Sequence, residues 1–153
     1  MILDKQLYEK LCNYCAYQER GANDVRQKLF KLKVPKNEHS AYLQKLQHGN
    51  FLNEDRYTKF FVAARVKKKW GKQKIQAALV VKKIETPTIK KYIQDIDETE
   101  YKSQMNNVAI KKWSTIKAET MSERKTKLLR FLLSKGYEMN FAKAVANELA
   151  IGE

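Results

Sequence analysis

Apolar residues in the first two thirds of this chain return at a fixed distance of 50 positions. Leu7, Leu11, Gly21, Val25, Leu29, Val34, Tyr42, Leu43 and Leu46 come back as Tyr57, Phe61, Gly71, Ile75, Leu79, Ile84, Tyr92, Ile93 and Ile96. Three pairs, Gly21/Gly71, Leu29/Leu79 and Tyr42/Tyr92, keep the residue type, and the rest keep apolar character. A fixed period of this size marks one supersecondary unit used repeatedly, each copy burying its apolar face on the next. A third, more divergent copy fits 53 positions after the second. It sets Ile75, Leu79, Ile84, Ile93 and Ile96 against Leu128, Leu132, Tyr137, Ala146 and Leu149. The expected fold is all-α, with three tandem three-helix repeats stacked into an elongated, curved array. The expected boundaries are 1–52, 53–97 and 98–153.

The helical reading follows from periodicity and from end signals. Leu7, Leu11, Tyr14 and Cys15 form a one-sided stripe, followed by a break at Arg20-Gly21-Ala22-Asn23 with a turn glycine and a capping Asn. Val25, Leu29 and Leu32 form a second stripe that Val34-Pro35 ends, and Tyr42, Leu43 and Leu46 form a third. In the second unit Asn53 is an N-cap, and Tyr57, Phe60, Phe61 and Ala64 line one face on which the next position is Lys68. The apolar stripe gives way to charge there. Thr86-Pro87 reads as a cap followed by Pro at the first helical position. In the acidic run Asp95, Asp97, Glu98 and Glu100, Asp97 reads as the cap of a long helix through about Lys117. Gly136 reads as the residue closing the helix of Leu128, Leu129, Phe131 and Leu132, before a last stripe of Phe141, Val145 and Leu149.

Composition removes several function classes. No apolar run approaches the roughly 20 residues of a membrane span, and Met1-Ile2-Leu3-Asp4-Lys5 does not open a signal peptide, so the expectation is a cytoplasmic protein with no membrane association. Cys12 and Cys15 form a C-x-x-C inside a helical stripe, without a second pair, and His39 and His48 complete no standard zinc spacing. They read as small thiols in a reducing compartment. Phosphate-loop, nucleophile-elbow and zinc-protease motifs are all missing, so neither catalysis nor a cofactor is expected, and the chain is expected to be a monomer.

Charge points the other way, toward binding. The net charge is +14, and between Arg56 and Lys91 twelve basic residues face a single acid, Glu85. A concentrated single-sign field calls for a polyanionic partner. Its densest part holds the candidate contact residues Arg65, Lys67, Lys68, Lys69, Trp70, Lys72 and Lys74. A charge run is ordinarily a solvated helix end. The confinement of nearly all the excess charge to one repeat favours function here. Lys72 and the backbone N–H groups beside it are expected to face outward as a phosphate site at a helix N-terminus. Trp70 can stack on a base or pack at the helix junction.

These same segments resemble the RecX family of regulatory proteins. Arg20-Gly21-Ala22-Asn23-Asp24-Val25 stands where that family carries R-S-x-x-E-L, and Phe51-Leu52-Asn53-Glu54-Asp55-Arg56-Tyr57 resembles its Y-L-D-D-x-R-F junction. Gly71, Ile75, Leu79 and Lys82-Lys83-Ile84 resemble G-x-x-x-I-x-x-x-L-x-x-K-G-I. Lys127-Leu128, Phe131-Leu132 and Gly136-Tyr137 resemble K-L-x-x-F-L-x-x-x-G-F. Gly21 departs from the usual Ser, Asp24 from Glu, Val25 from Leu, and Lys83 stands where the family has Gly. The resemblance implies tandem three-helix repeats that bind RecA–single-stranded-DNA filaments in the filament groove. It implies suppression of ATP hydrolysis, filament growth, strand exchange and co-protease activity, and hence a part in DNA repair and the SOS response. A nucleic-acid-binding module acting on DNA or RNA directly is the alternative that the charge alone supports.

Overall fold

All the helices but the last begin where a short polar side chain, a glycine or a proline sets the chain direction. In the computed structural model, which describes residues 2–152, Asp4 opens α1 (Lys5–Tyr17) by accepting from the backbone N–H groups of Gln6 and Leu7. Helix α2 (Ala22–Lys31) follows Gly21, and a 3-10 turn after Pro35 leads into α3 (His39–His48). Asn53 caps α4 (Glu54–Lys67), which is followed by α5 (Lys72–Val81) and α6 (Thr86–Gln94). Asp97 caps α7 (Glu98–Trp113), Thr120 caps α8 (Met121–Ser134), and α9 (Met139–Ile151) completes the described chain. Among the described residues there is no strand, and no helix is long and apolar enough to cross a membrane.

Buried side chains fall into three clusters in chain order, one within α1–α3, one within α4–α6 and one within α7–α9. The 50-residue register places its central pairs at equivalent depth, whereas Leu7, Tyr92 and Ile96 are half-buried where Tyr57, Tyr42 and Leu46 are buried. Val25 and Ile75 are fully buried, as are Leu29 and Leu79, and Leu128 and Leu132 continue the pattern. Complete burial of one such side chain contributes about 1.5–3 kcal/mol. Ile96 packs on both the second and the third cluster and so joins them.

Among the described residues five helices end in the same hydrogen-bonded motif, in which the N–H beyond the C′ residue reaches back five positions. The bonds are Val34 N–H to Leu29 O, Phe51 N–H to Leu46 O, Trp70 N–H to Arg65 O, Ile84 N–H to Leu79 O and Tyr137 N–H to Leu132 O. Its C′ position requires positive φ. Gly136 supplies it at 92°, whereas Lys33, Asn50, Lys69 and Lys83 adopt φ of 61°, 59°, 67° and 63° with side chains attached.

Some local expectations are corrected. Gly21 is not a left-handed turn residue: its φ is −88°, it is itself the N-cap, and Asn23 lies within α2. Helix α7 stops at Trp113 instead of running to about Lys117. Glu85 occupies the N-cap position of α6 and Thr86 its first turn, one residue from the expected placement.

Candidate functional site

The basic segment occupies the end of α4 and the start of α5, at the junction with the third bundle. Arg65 is half-buried between aromatic rings, its guanidinium carbon 4.5 Å from the Phe61 centroid and 5.0 Å from that of Trp70. Such contacts hold a cation without neutralising it. Its Nε is buried and has no hydrogen-bond acceptor among the described residues. Trp70 stands edge-on to Phe61, with centroids 6.5 Å apart and planes at 86°. Part of the indole therefore belongs to the second core, and the Lys74 ammonium lies 4.3 Å from its centroid. Lys67, Lys68 and Lys69 are exposed and form no ion pair among the described residues.

The expected phosphate site at the start of α5 is overturned. The Gly71 N–H donates to Lys135 O at 2.7 Å, the Gln73 N–H to Gly136 O at 2.9 Å, and the Lys72 N–H to the Tyr101 hydroxyl at 2.8 Å. The positive end of α5 is thus capped by carbonyls at the negative end of α8, an alignment of helix dipoles that satisfies both. The Lys72 ammonium bonds Glu98 at 2.9 Å and lies 4.7 Å from the Tyr101 ring centroid, so its charge is partly committed within the molecule. Tyr137 donates its hydroxyl proton to Lys69 O at 3.1 Å, and Tyr101 donates to Glu138. Burial pushes the Tyr137 hydroxyl up to about 12, with Glu138 adding to the effect. Burial and the bond to Glu138 push Tyr101 higher still.

The seven candidates therefore differ in what holds them. Lys67, Lys68 and Lys69 are free, Arg65 is aromatic-bound, and Trp70, Lys72 and Lys74 belong in part to the junction. The partners Tyr101, Glu98, Lys135, Gly136 and Tyr137 were missed by sequence reasoning. The pair Gly71 and Gly136 was the available signal. A Cβ at Gly71 would lie 2.0 Å from the Gly136 carbonyl carbon, and one at Gly136 would lie 2.4 Å from the Lys74 Cβ.

The junction between the first two bundles is built from side chains. Gly21 leaves room for the Tyr57 ring, Arg56 pairs with Glu19, and Lys82 reaches Asp24 at 3.5 Å. Burial works against the Lys82 charge, but the Tyr57 hydroxyl and the Asp24 carboxylate outweigh it and raise its pKa above the ordinary lysine value. Both cysteines are free thiols, and burial pushes Cys15 up to about 11, with Cys12 contributing.

A family model described as RecX, third three-helix domain, matches residues 99–145. The chain is 26% identical over 132 residues to the regulatory protein RecX of Clostridium perfringens (strain 13 / Type A), a match that covers 85% of this chain and 62% of that protein. It is 28% identical over 123 residues to the regulatory protein RecX of Acinetobacter baylyi, covering 80% of this chain and 75% of the relative. The match thus spans less than two thirds of the clostridial protein. A crystal structure of regulatory protein RecX superposes with a TM-score of 0.83 at 19% identity, over 93% of this chain and 70% of that one, a likeness of fold.

Proposed function

We propose that the chain is a member of the RecX family and regulates RecA by binding, not by catalysis, a reading supported by the family-model match, the relatives and the likeness of fold. In this reading it lies on RecA–single-stranded-DNA filaments and inhibits their ATPase, strand exchange and co-protease activity. The division into units 1–52, 53–97 and 98–153 belongs to the same proposal and is supported by the three buried clusters. The contact segment is Arg65, Lys67, Lys68, Lys69, Trp70, Lys72 and Lys74. The observation that carries the reading is the triplet of exposed, unpaired lysines, Lys67, Lys68 and Lys69, held beside a junction of backbone hydrogen bonds. A patch of unpaired charge of one sign steers encounter with a polyanion and retains it through counter-ion release.

Replacement of Lys67, Lys68 and Lys69 by Gln tests the proposal. The triple variant should keep wild-type circular dichroism and lose most of its inhibition of filament ATPase. Full inhibition by a well-folded variant would exclude these lysines from the contact. A direct nucleic-acid module is the second reading, favoured by the same unpaired lysines. Inhibition of RecA at protein concentrations that leave bare DNA unbound separates the two.

A further inference from the structure

The face of α4 that changes from apolar to charged forms one wall of a cleft between the first two bundles. Tyr57 and Phe61 are buried in the second core, Ala64 is half-buried, and Lys68 is exposed at the open end. Tyr17 at the end of α1, and Gln18, Glu19 and Arg20 between α1 and α2, form the opposite wall. Two large rings meet solvent in this cleft, Tyr17 at 84% exposure and Phe60 at 45%. We propose that this cleft binds single-stranded nucleic acid, with bases stacked on Tyr17 and Phe60 and phosphates at Arg65 and Lys68.

The charges sort in favour of that occupant. Both acids on the walls have a basic partner: Glu19 accepts from Arg56 through one oxygen, its other oxygen being buried without a hydrogen-bond partner among the described residues, while Asp24 accepts from the Gly21 N–H at 2.8 Å and from Lys82 at 3.5 Å. Arg20 is fixed over the Tyr14 ring at 3.9 Å and donates to Tyr14 O. Among the described residues Arg65 and Lys68 have no carboxylate partner, so the unpaired charge of the cleft is positive. Phosphates match that charge. Unpaired bases match the rings, because every base has a face to stack on an aromatic side chain. A duplex keeps its bases stacked inside and offers the rings only its outer surface, so the aromatic walls select single strands. The proposal deepens the regulatory reading and rests on it for the natural source of the strand, the DNA of the filament. Its residues Tyr17 and Phe60 lie outside the contact segment.

The probe is a fluorescein-labelled oligothymidylate of about fifteen nucleotides, long enough for one groove-sized site, followed by anisotropy at low salt. Wild-type protein should bind it and prefer it to a duplex of equal length. Tyr17→Ala/Phe60→Ala should bind about tenfold or more weakly, the loss of about 1–3 kcal/mol per stacked base expressed as affinity. Lys68→Ala should flatten the log–log salt dependence by about 0.7, the contribution of one phosphate on a single strand. Tyr17→Ala alone serves as the fold-safe variant, since that side chain is almost wholly in solvent. Wild-type oligonucleotide affinity in both the single and the double aromatic variant overturns the proposal, whatever they do to RecA. So does polyglutamate that binds the cleft while oligothymidylate does not, which would make the occupant an acidic protein segment. The regulatory reading fails on a different result, the absence of ATPase inhibition by wild-type protein.

Discussion

Gly71→Ala is the sharpest probe of how this array holds together. The φ of −77° at Gly71 is open to any residue, so backbone strain is not the obstacle. The obstacle is space: the new methyl would lie 2.0 Å from the Gly136 carbonyl carbon, 2.1 Å from the Tyr137 nitrogen and 2.2 Å from the Gly136 oxygen. Those atoms are backbone and cannot rotate away, so α5 and the end of α8 must separate. Four hydrogen bonds then fail together: Gly71 N–H to Lys135 O, Gln73 N–H to Gly136 O, Lys72 N–H to the Tyr101 hydroxyl, and the Tyr137 hydroxyl to Lys69 O. At about 0.5–1.5 kcal/mol each their loss amounts to about 2–6 kcal/mol. The smaller unfolded-state entropy of Ala returns about 0.4–1 kcal/mol. The net expectation is a destabilisation of about 1–6 kcal/mol, a large part of the roughly 5–15 kcal/mol of a domain this size. Urea unfolding followed by circular dichroism gives the free energy, and amide exchange at Gln73 and at residue 71 locates the opening. Gly21→Ala is the control. Its methyl would meet the edge of the Tyr57 ring at 3.0 Å, and a ring can tilt by a few tenths of an ångström. Its cost should be about 1 kcal/mol or less. A Gly71→Ala variant within about 0.5 kcal/mol of wild type, the range of ordinary surface changes, would refute the reasoning.

Lys33→Gly and Lys83→Gly should each stabilise the protein by about 0.5–1 kcal/mol, because relief of left-handed strain exceeds the entropy of a freer unfolded chain; lower urea midpoints in both would contradict this. Leu29→Ala and Leu79→Ala should each cost about 2–5 kcal/mol, as fully buried leucines do, and changes below about 0.5 kcal/mol at both would remove the repeat register. Tyr137 titrates at about 12 in the folded state and Tyr101 higher, against about 10 when unfolded, so their contribution is complete below pH ~10 and falls as pH rises toward 12. Urea midpoints should decline over that interval, less steeply in Tyr101→Phe/Tyr137→Phe, and an equal decline in that variant would count against the assignment. Iodoacetamide at pH 8 should label half-buried Cys12 well before Cys15, whose thiol is buried and held up to about 11; peptide mass analysis showing the reverse order would refute it.

Periodicity alone carried the helical class, the register and most of the core, since equivalent positions must be apolar for each unit to bury its face. Val25 with Ile75 and Leu29 with Leu79 are buried as the 50-residue spacing requires. Caps at Asn53 and Asp97 were legible because the bond runs from a side chain to an N–H two or three residues away, within the reach of local sequence. The candidate site was legible only as a concentration of charge. Sequence could not tell which lysines remain free, because that depends on partners distant in the chain. Glu98 takes Lys72, Trp70 lies under Arg65 and Lys74, and the carbonyls of Lys135 and Gly136 occupy the N–H groups that an isolated α5 would offer to phosphate. The glycines show the same division. Gly21 and Gly71 were visible as a repeated pair, but their reason is the ring of Tyr57 and the backbone of Gly136, which only the packing of one bundle on the next brings within 4 Å. Local sequence sets which bonds a helix can make with itself; the neighbouring bundle decides which of its remaining polar groups are left for a partner.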